Sequence, residues 1–406
     1  MIRDNNNLEL YIHIPFCKKK CEYCDFLSGP ANAREVSEYM KALQKELLMW
    51  APAAGNHTVS SVFIGGGTPS ILPTGEVEEL MRVIYQNYHL SEQAEISIEA
   101  NPGTVSLDQL KAYVASGINR ISIGLQSTDE DLLKRLGRIH SYEDFLMAFQ
   151  MARMAGFRNI NVDLISGIPG QSLSDWEESL KKITLLRPEH ISAYGLIIEP
   201  GTRFHDKYAA DEKRREAGYE PMFLPSEELE RQMYQLTGEL LEAKGYKRYE
   251  ISNYARAGKV CLHNRGYWKR EEYLGFGIGA ASLFRETRWS NTRNKNTYVN
   301  YIARGEFPLE EESLEKLSPA AQMEEYMFLG LRMMEGVQRS DFEKSFGHSL
   351  EGIFGDRLIR LQKEGLLEME EGRIRLSKKG IDLSNYVFSQ FLLEGDQAEC
   401  TYRQKM

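Results

Sequence analysis

The chain has 406 residues, 42% hydrophobic and 27% charged, with 50 Lys and Arg against 59 Asp and Glu for a net charge of −9. At about 150 residues per domain, this length predicts two or three domains with ample chain for a core. The composition excludes a fibrous or disordered chain. The acidic balance argues against a general nucleic-acid surface, and no apolar run approaches the roughly 20 residues of a spanning helix. The polar start, Met1-Ile-Arg-Asp4, lacks the apolar core of a signal peptide, so a cytoplasmic protein without an integral membrane segment is expected.

In the first half, short β-rich runs alternate with longer amphipathic stretches. Strands are predicted near Leu8–Ile14, Val59–Ile64, Glu95–Glu99, Arg120–Gly124, Asn159–Leu164 and His190–Leu196. Helices are predicted over Ala33–Trp50, Gly75–Tyr88, Ser106–Ser116, Tyr142–Ala155 and Ser174–Leu186. Ser106 suits a cap for a helix ended by Gly117, and Gly156 suits the end of the helix entered near Tyr142. Successive βα units imply an α/β fold with a parallel sheet and right-handed crossovers, either open and doubly wound or a closed or partial barrel.

After Glu199 the alternation stops. The charged run Lys207–Glu220 reads as a solvated face. An amphipathic helix over about Ser226–Ala243 follows, Tyr246–Tyr254 is expected to add a strand, and the Gly-rich run Leu274–Ala281 allows close backbone approach. Helical patterns at Pro319–Arg332, Arg339–Phe346 and Leu350–Glu364, then a hairpin turning at Glu371-Gly372, resemble a winged-helix module. Residues 311–395 hold more acidic than basic side chains, so an interaction or lid role is expected there, not nucleic-acid binding. The polar tail 396–406 is expected to be disordered.

Chemistry gathers at the strand ends. Cys17 follows the first strand, Gly65-Gly66-Gly67-Thr68-Pro69 the second, and Glu99-Ala100-Asn101-Pro102 the third. Gln126, Asp163 and Tyr194-Gly195 follow the next three. Carboxyl ends of parallel strands hold the active site in barrels and open α/β sheets alike, so these six features converge on one rim. Of the five cysteines, Cys17, Cys21 and Cys24 fall within eight residues, while Cys261 and Cys400 need no partner. Three thiolates in one loop are soft ligands for an iron–sulfur cluster or for zinc. A structural zinc site needs a fourth ligand, for which His13 is the nearest candidate. On a four-iron cube, three cysteines leave one iron open to an exogenous ligand.

Tyr11-Ile-His-Ile-Pro-Phe-Cys17-x-x-x-Cys21-x-x-Cys24 resembles the cluster loop of radical S-adenosylmethionine (SAM) proteins. The resemblance implies a partial (β/α)6 TIM-like barrel over residues 1–200, a barrel extension over 201–310 and a C-terminal helical, winged-helix-like domain over 311–395. It further implies a [4Fe–4S] cluster on Cys17, Cys21 and Cys24, with SAM chelating the open iron. Tyr11, Gly66, Gly67, Thr68, Glu99, Gln126, Arg138, Asp163 and Gly195 match the SAM-binding positions of the porphyrin-related branch, which contains oxygen-independent coproporphyrinogen III oxidase and a group of heme chaperones. Phe26 stands where the oxidase has a further cysteine, and only sixteen residues precede Cys17 where the oxidase is longer. His263-Asn-Arg-Gly-Tyr267-Trp268 resembles a His-Asn-x-x-Tyr-Trp motif of the chaperones that is associated with heme. The implied function is to bind heme and pass it to hemoproteins, those of the respiratory chain among them, with His263, Tyr267 and Trp268 as candidate heme contacts. The alternative is radical decarboxylation of coproporphyrinogen III. A cluster close to a subunit contact would favour a homodimer.

Overall fold

A computed structural model describes residues 6–370 and 372–393, so the tail 396–406 lies outside the described residues. Six strands carry the architecture: β1 (Asn7–Ile14), β2 (Thr58–Gly66), β3 (His89–Ala100), β4 (Arg120–Gln126), β5 (Ile160–Ser166) and β6 (His190–Gly195). They pair in that order, all parallel. Because successive strand residues point to opposite faces, each strand sorts its side chains in two. Ile12, Ile64, Ile98, Ile123, Val162 and Ile191 enter the main apolar core beneath the helices. Their alternates, Glu9, Ser61, Glu95, Arg120, Asn161 and His190, are buried as well yet polar. A polar interior of this kind is stabilised where its groups bond one another: Asn161 Nδ2 donates to Ser122 Oγ at 2.7 Å, and His190 meets Asn161 Oδ1 at 2.6 Å, whereas Glu9 Oε2 and Arg120 Nε have no hydrogen-bond partner.

The crossover helices Ala33–Ala54, Thr74–Asn87, Leu107–Ala115, Tyr142–Ala155 and Leu173–Leu186 cover the outer face. Ser106 caps its helix through Gln109 N, Ser141 and Ser172 form capping boxes with Asp144 and Asp175, and Gly156 ends its helix at φ 112°. These four signals satisfy backbone groups that a helix end leaves orphaned. The strand array then grows at both edges through β7 (Lys247–Arg248), β8 (Asn253–Ala255), β9 (Glu272–Phe276), β10 (Ala281–Phe284), β11 (Thr287–Ser290) and β12 (Glu315–Lys316). β9 joins β1 in parallel and β8 joins β6 antiparallel. Among the described residues the end strands β12 and β7 are not paired with each other, so the array is open, as in a partial barrel.

Three segments differ from the sequence expectation. The charged run Lys207–Glu220 is not simply a solvated face: Arg203–Glu216 is a helix that buries Phe204 and Asp211. Arg203 and Lys207 both grip Glu22 in the cysteine loop, at 3.0 and 2.8 Å. Tyr246–Tyr254 is two short strands around a turn, and Leu262–Trp268 is a helix. A second core joins Met327, Phe342, Phe354, Leu358, Ile374 and Phe391 around three helices and a small sheet of Val337–Gln338, Leu367–Glu370 and Arg373–Leu376, the order of a winged helix. Arg270 and Arg288 tie it to the barrel through Glu325, both at 2.7 Å. Among the described residues no helix is long and apolar enough to cross a membrane.

One buried carboxyl holds the β9 edge to the barrel. Glu46, on the first helix, accepts from Gly277 N at 2.8 Å, Asn291 Nδ2 at 2.6 Å and Tyr298 OH at 2.6 Å. Glu46→Ala leaves Gly277 N and Tyr298 OH without a partner and takes one of two acceptors from Asn291 Nδ2, which also donates to Gly277 O at 3.0 Å; it should cost about 3 kcal/mol, read as a fall in the urea midpoint.

Candidate cofactor site

The loop after β1 is threaded under the turn after β2. Gly67 N donates to Ile14 O and Thr68 N to Phe16 O, both at 2.8 Å. A Cβ on Gly67 would stand 2.7 Å from Phe16 O, and Gly66 has φ 108°, so both positions require glycine. The same contacts bring Thr68 Oγ1 to 3.5 Å from Cys17 Sγ. From the far side, Arg138 donates to Cys21 Sγ at 3.6 Å, to Gly124 O at 2.6 Å and to Asn101 Oδ1 at 2.6 Å. Asn101 Nδ2 in turn donates to Thr68 Oγ1 at 2.8 Å. A chain of donors, Arg138–Asn101–Thr68, therefore links Cys21 to Cys17.

Cys17, Cys21 and Cys24 open into a cavity of about 410 Å³. Gly66, Gly67, Thr68, Glu99, Gln126, Arg138, Asp163 and Gly195 line it with them. Tyr11 does not line it; its hydroxyl lies 3.0 Å from His13 Nδ1, deeper in the barrel. Two carboxyls form the inner wall. Glu99 accepts from Gly66 N at 2.9 Å. Asp163 accepts from Ser122 Oγ at 2.8 Å and Asn161 Nδ2 at 2.7 Å. Burial, then the neighbouring Asp163, pushes Glu99 up to about 8, and burial raises Asp163 as well. A cation placed between the two would relieve both. Gln126 sits at φ 75°, a strained position for a residue with a side chain, where β4 and β5 slip register. Sequence reasoning left Asn101, Ser122 and Asn161 without a role. Asn101 precedes a proline and the other two face inward on strands, so only the fold reveals their partners.

The donor set fits an iron–sulfur cluster. Among the described residues no three His, Cys, Asp or Glu side chains converge as a single metal ion requires. His13, the candidate fourth zinc ligand, instead has its ring between Tyr11 OH and Leu27 O. In a cluster each thiolate takes its own iron, so the three thiols need not converge on one point. Arg138 Nε is buried without a partner, a donor left for an incoming anion.

The His263 motif lies at the other end of the barrel. Leu262 N donates to Glu95 Oε1, midway along β3, at 2.9 Å, and His263 is buried against Ser61 and Phe63 of β2, so the helix Leu262–Trp268 closes this side of the barrel. His263 is 1% exposed. Its Nδ1 meets Ser61 Oγ at 2.8 Å and its Nε2 meets Tyr267 OH at 3.0 Å, while the ring stacks on Phe63 at 5.2 Å. Burial, and then Arg120, pulls it down to about 3, so it is a neutral imidazole with both nitrogens engaged. Trp268 carries the Arg332 guanidinium 4.2 Å over its ring and packs with Tyr249 and Met333. The motif therefore joins the barrel floor to the C-terminal module and does not meet the cysteine cavity.

A barrel of this order with a three-cysteine loop at its rim is the architecture of the Radical SAM superfamily, whose family model matches residues 11–183; the HemN C-terminal domain matches 317–383. The Bacillus subtilis heme chaperone HemW is 39% identical over 385 residues, covering 95% of this chain and 99% of its own. The Haemophilus influenzae heme chaperone HemW is 33% identical, covering 95% and 98%. A mitochondrial radical SAM domain-containing protein 1 from Danio rerio is 32% identical, covering 95% and 87%. Among solved structures, coproporphyrinogen III oxidase (HemN) from Escherichia coli superposes with a TM-score of 0.80 at 25% identity, covering 96% of this chain and 90% of that one. The chain belongs to the HemW family of radical SAM proteins.

The carboxyl pair makes a pH prediction for the protein without cofactor. Glu99 keeps its proton in the folded state up to about 8 but loses it near 4.5 when unfolded, so stability falls as pH rises between those values. Glu99→Gln should flatten that fall in the melting temperature.

Proposed function

We propose that this chain is a heme chaperone that carries a [4Fe–4S] cluster and SAM, and that passes heme to hemoproteins, respiratory ones among them. The observation that supports it most directly is the end-to-end similarity to HemW at 39% identity. In this reading Cys17, Cys21 and Cys24 hold the cluster. Gly66, Gly67 and Thr68 would hold the cofactor's methionine end, Glu99 and Asp163 would accept from its ammonium and ribose hydroxyls, and Arg138 would donate to its carboxylate, with Gln126 and Gly195 in the same lining. When bound, such a pair supplies one-electron chemistry at the sulfonium. What the chain contributes is positional. Arg138 balances the anionic thiolate set while its unpartnered Nε remains available, and the Glu99–Asp163 wall favours a cationic group. Lys18, Lys19 and Lys20 add positive charge in the same loop, which suits an anionic cluster.

Anaerobic reconstitution should give the brown absorbance of a [4Fe–4S] cluster with matching iron content, and Cys24→Ala should lose it. Titration with hemin should saturate at a stoichiometric Soret band; no saturable band sinks the chaperone reading.

The superposition on HemN supports a second reading, oxidative decarboxylation of coproporphyrinogen III. Anaerobic incubation with reductant, SAM and coproporphyrinogen decides between them. The chaperone reading expects no protoporphyrinogen by mass, and its formation at catalytic turnover would establish the enzyme instead.

A further inference from the structure

Resting on the chaperone reading, we infer that heme docks on the rim of the cysteine cavity, between Phe26 and Ile197, and not on the His263 helix. Three large apolar side chains stand open there. Phe26 is 59% exposed, Ile197 69% and Tyr194 38%, and all three line the mouth of the same cavity. Isolated exposed apolar residues are ordinary, but several at one mouth mark a binding surface. Tyr194 adds an aromatic ring, 38% exposed, to the same lining. A planar aromatic macrocycle is the ligand that such a face and two aliphatic or aromatic edges accept.

Charge orients it. On the cluster-loop side Lys19 and Lys20 outnumber Asp25, whereas the β6 side presents Glu199. The carboxylate edge of a heme would therefore face the lysines, with its apolar edge against Ile197. The cavity of about 410 Å³ that these side chains line has room for a cofactor the size of SAM. Heme would thus lie across the opening as a cover, and the two ligands would bind together.

The His263 helix offers no comparable site. Ligation there would break both ring hydrogen bonds of a residue 1% exposed and open the barrel floor.

The test uses the full chain with its cluster and SAM. Hemin is added anaerobically, unbound heme is removed by gel filtration, and retained heme is measured as the pyridine hemochromogen. The double variant F26D/I197D should bind hemin at least about tenfold more weakly, since it loses two apolar contacts and sets carboxylates against the macrocycle. Ile197→Asp alone, distant in sequence from the cysteines, should weaken it in the same direction with unchanged iron content. Leu185→Asp, an exposed apolar position outside the cavity lining, should change nothing. His263→Ala should lower the melting temperature while the folded fraction retains a full complement of heme. In the wild type, hemin should slow release of labelled SAM, and in F26D/I197D it should not. The inference is overturned if both rim variants retain wild-type affinity, whether or not His263→Ala loses heme. If the wild-type chain itself binds no hemin, the chaperone reading fails first and this inference with it.

Discussion

The structure depends on a polar interior enclosed by an apolar shell. Each of the six parallel strands sends aliphatic side chains outward beneath the helices and charged or hydroxylic ones inward, so the lumen is lined by Ser, Glu, Arg, Asn and His. Unpaired, each such group would cost on the order of 1–3 kcal/mol. Bonding them across strands fixes strand register and side-chain direction together. Asp163 is the clearest case: Ser122 on β4 and Asn161 on its own strand hold its carboxylate, and His190 on β6 holds Asn161. The carboxyl wall of the cofactor cavity is thus the upper layer of the network that holds the barrel together.

The cysteine loop has almost no regular structure, and its shape is imposed by its neighbours. Gly67 and Thr68 hold one end, Gly29 accepts Cys17 N at 3.0 Å, and Leu136 accepts Glu22 N at 3.0 Å. Glu22 is then gripped by Arg203 and Lys207 from the helix after β6. A loop restrained from β2, β4 and β6 presents its thiols in one arrangement before any cofactor arrives, the preorganisation a cluster site needs. The opposite end is closed just as firmly, by His263 and Tyr267 pointing into the lumen and Trp268 bridging to the C-terminal module. One short motif therefore acts as floor and hinge-pin, at the far end of the barrel from the cysteines.

Much of this was legible in the chain. Period-two runs and capping residues such as Ser106 and Gly156 located the parallel strands and their helices within a few residues. The strand-end residues Gly66, Glu99, Gln126 and Asp163 announced one rim, and it exists. Other features were hidden for identifiable reasons. The helix Arg203–Glu216 is so rich in charge that its periodicity is faint, and its purpose, holding Glu22, is a contact across 181 residues. Asn101 carries no local signal, because its role is to bridge Thr68 and Arg138.

By itself the sequence determined the alternation of faces, the spacing of three thiols in one loop and the family to which these belong, since all three are written in local order. Only the tertiary structure decided which polar residues meet. It placed His263 in the floor with both nitrogens engaged, left Phe26 and Ile197 open at one mouth, and set Arg138 against Cys21. Burial and partnership are properties of the packed chain: the same imidazole is a free ligand on a surface and a structural hydrogen-bonding group in a closed lumen, and nothing in its neighbours along the chain distinguishes the two.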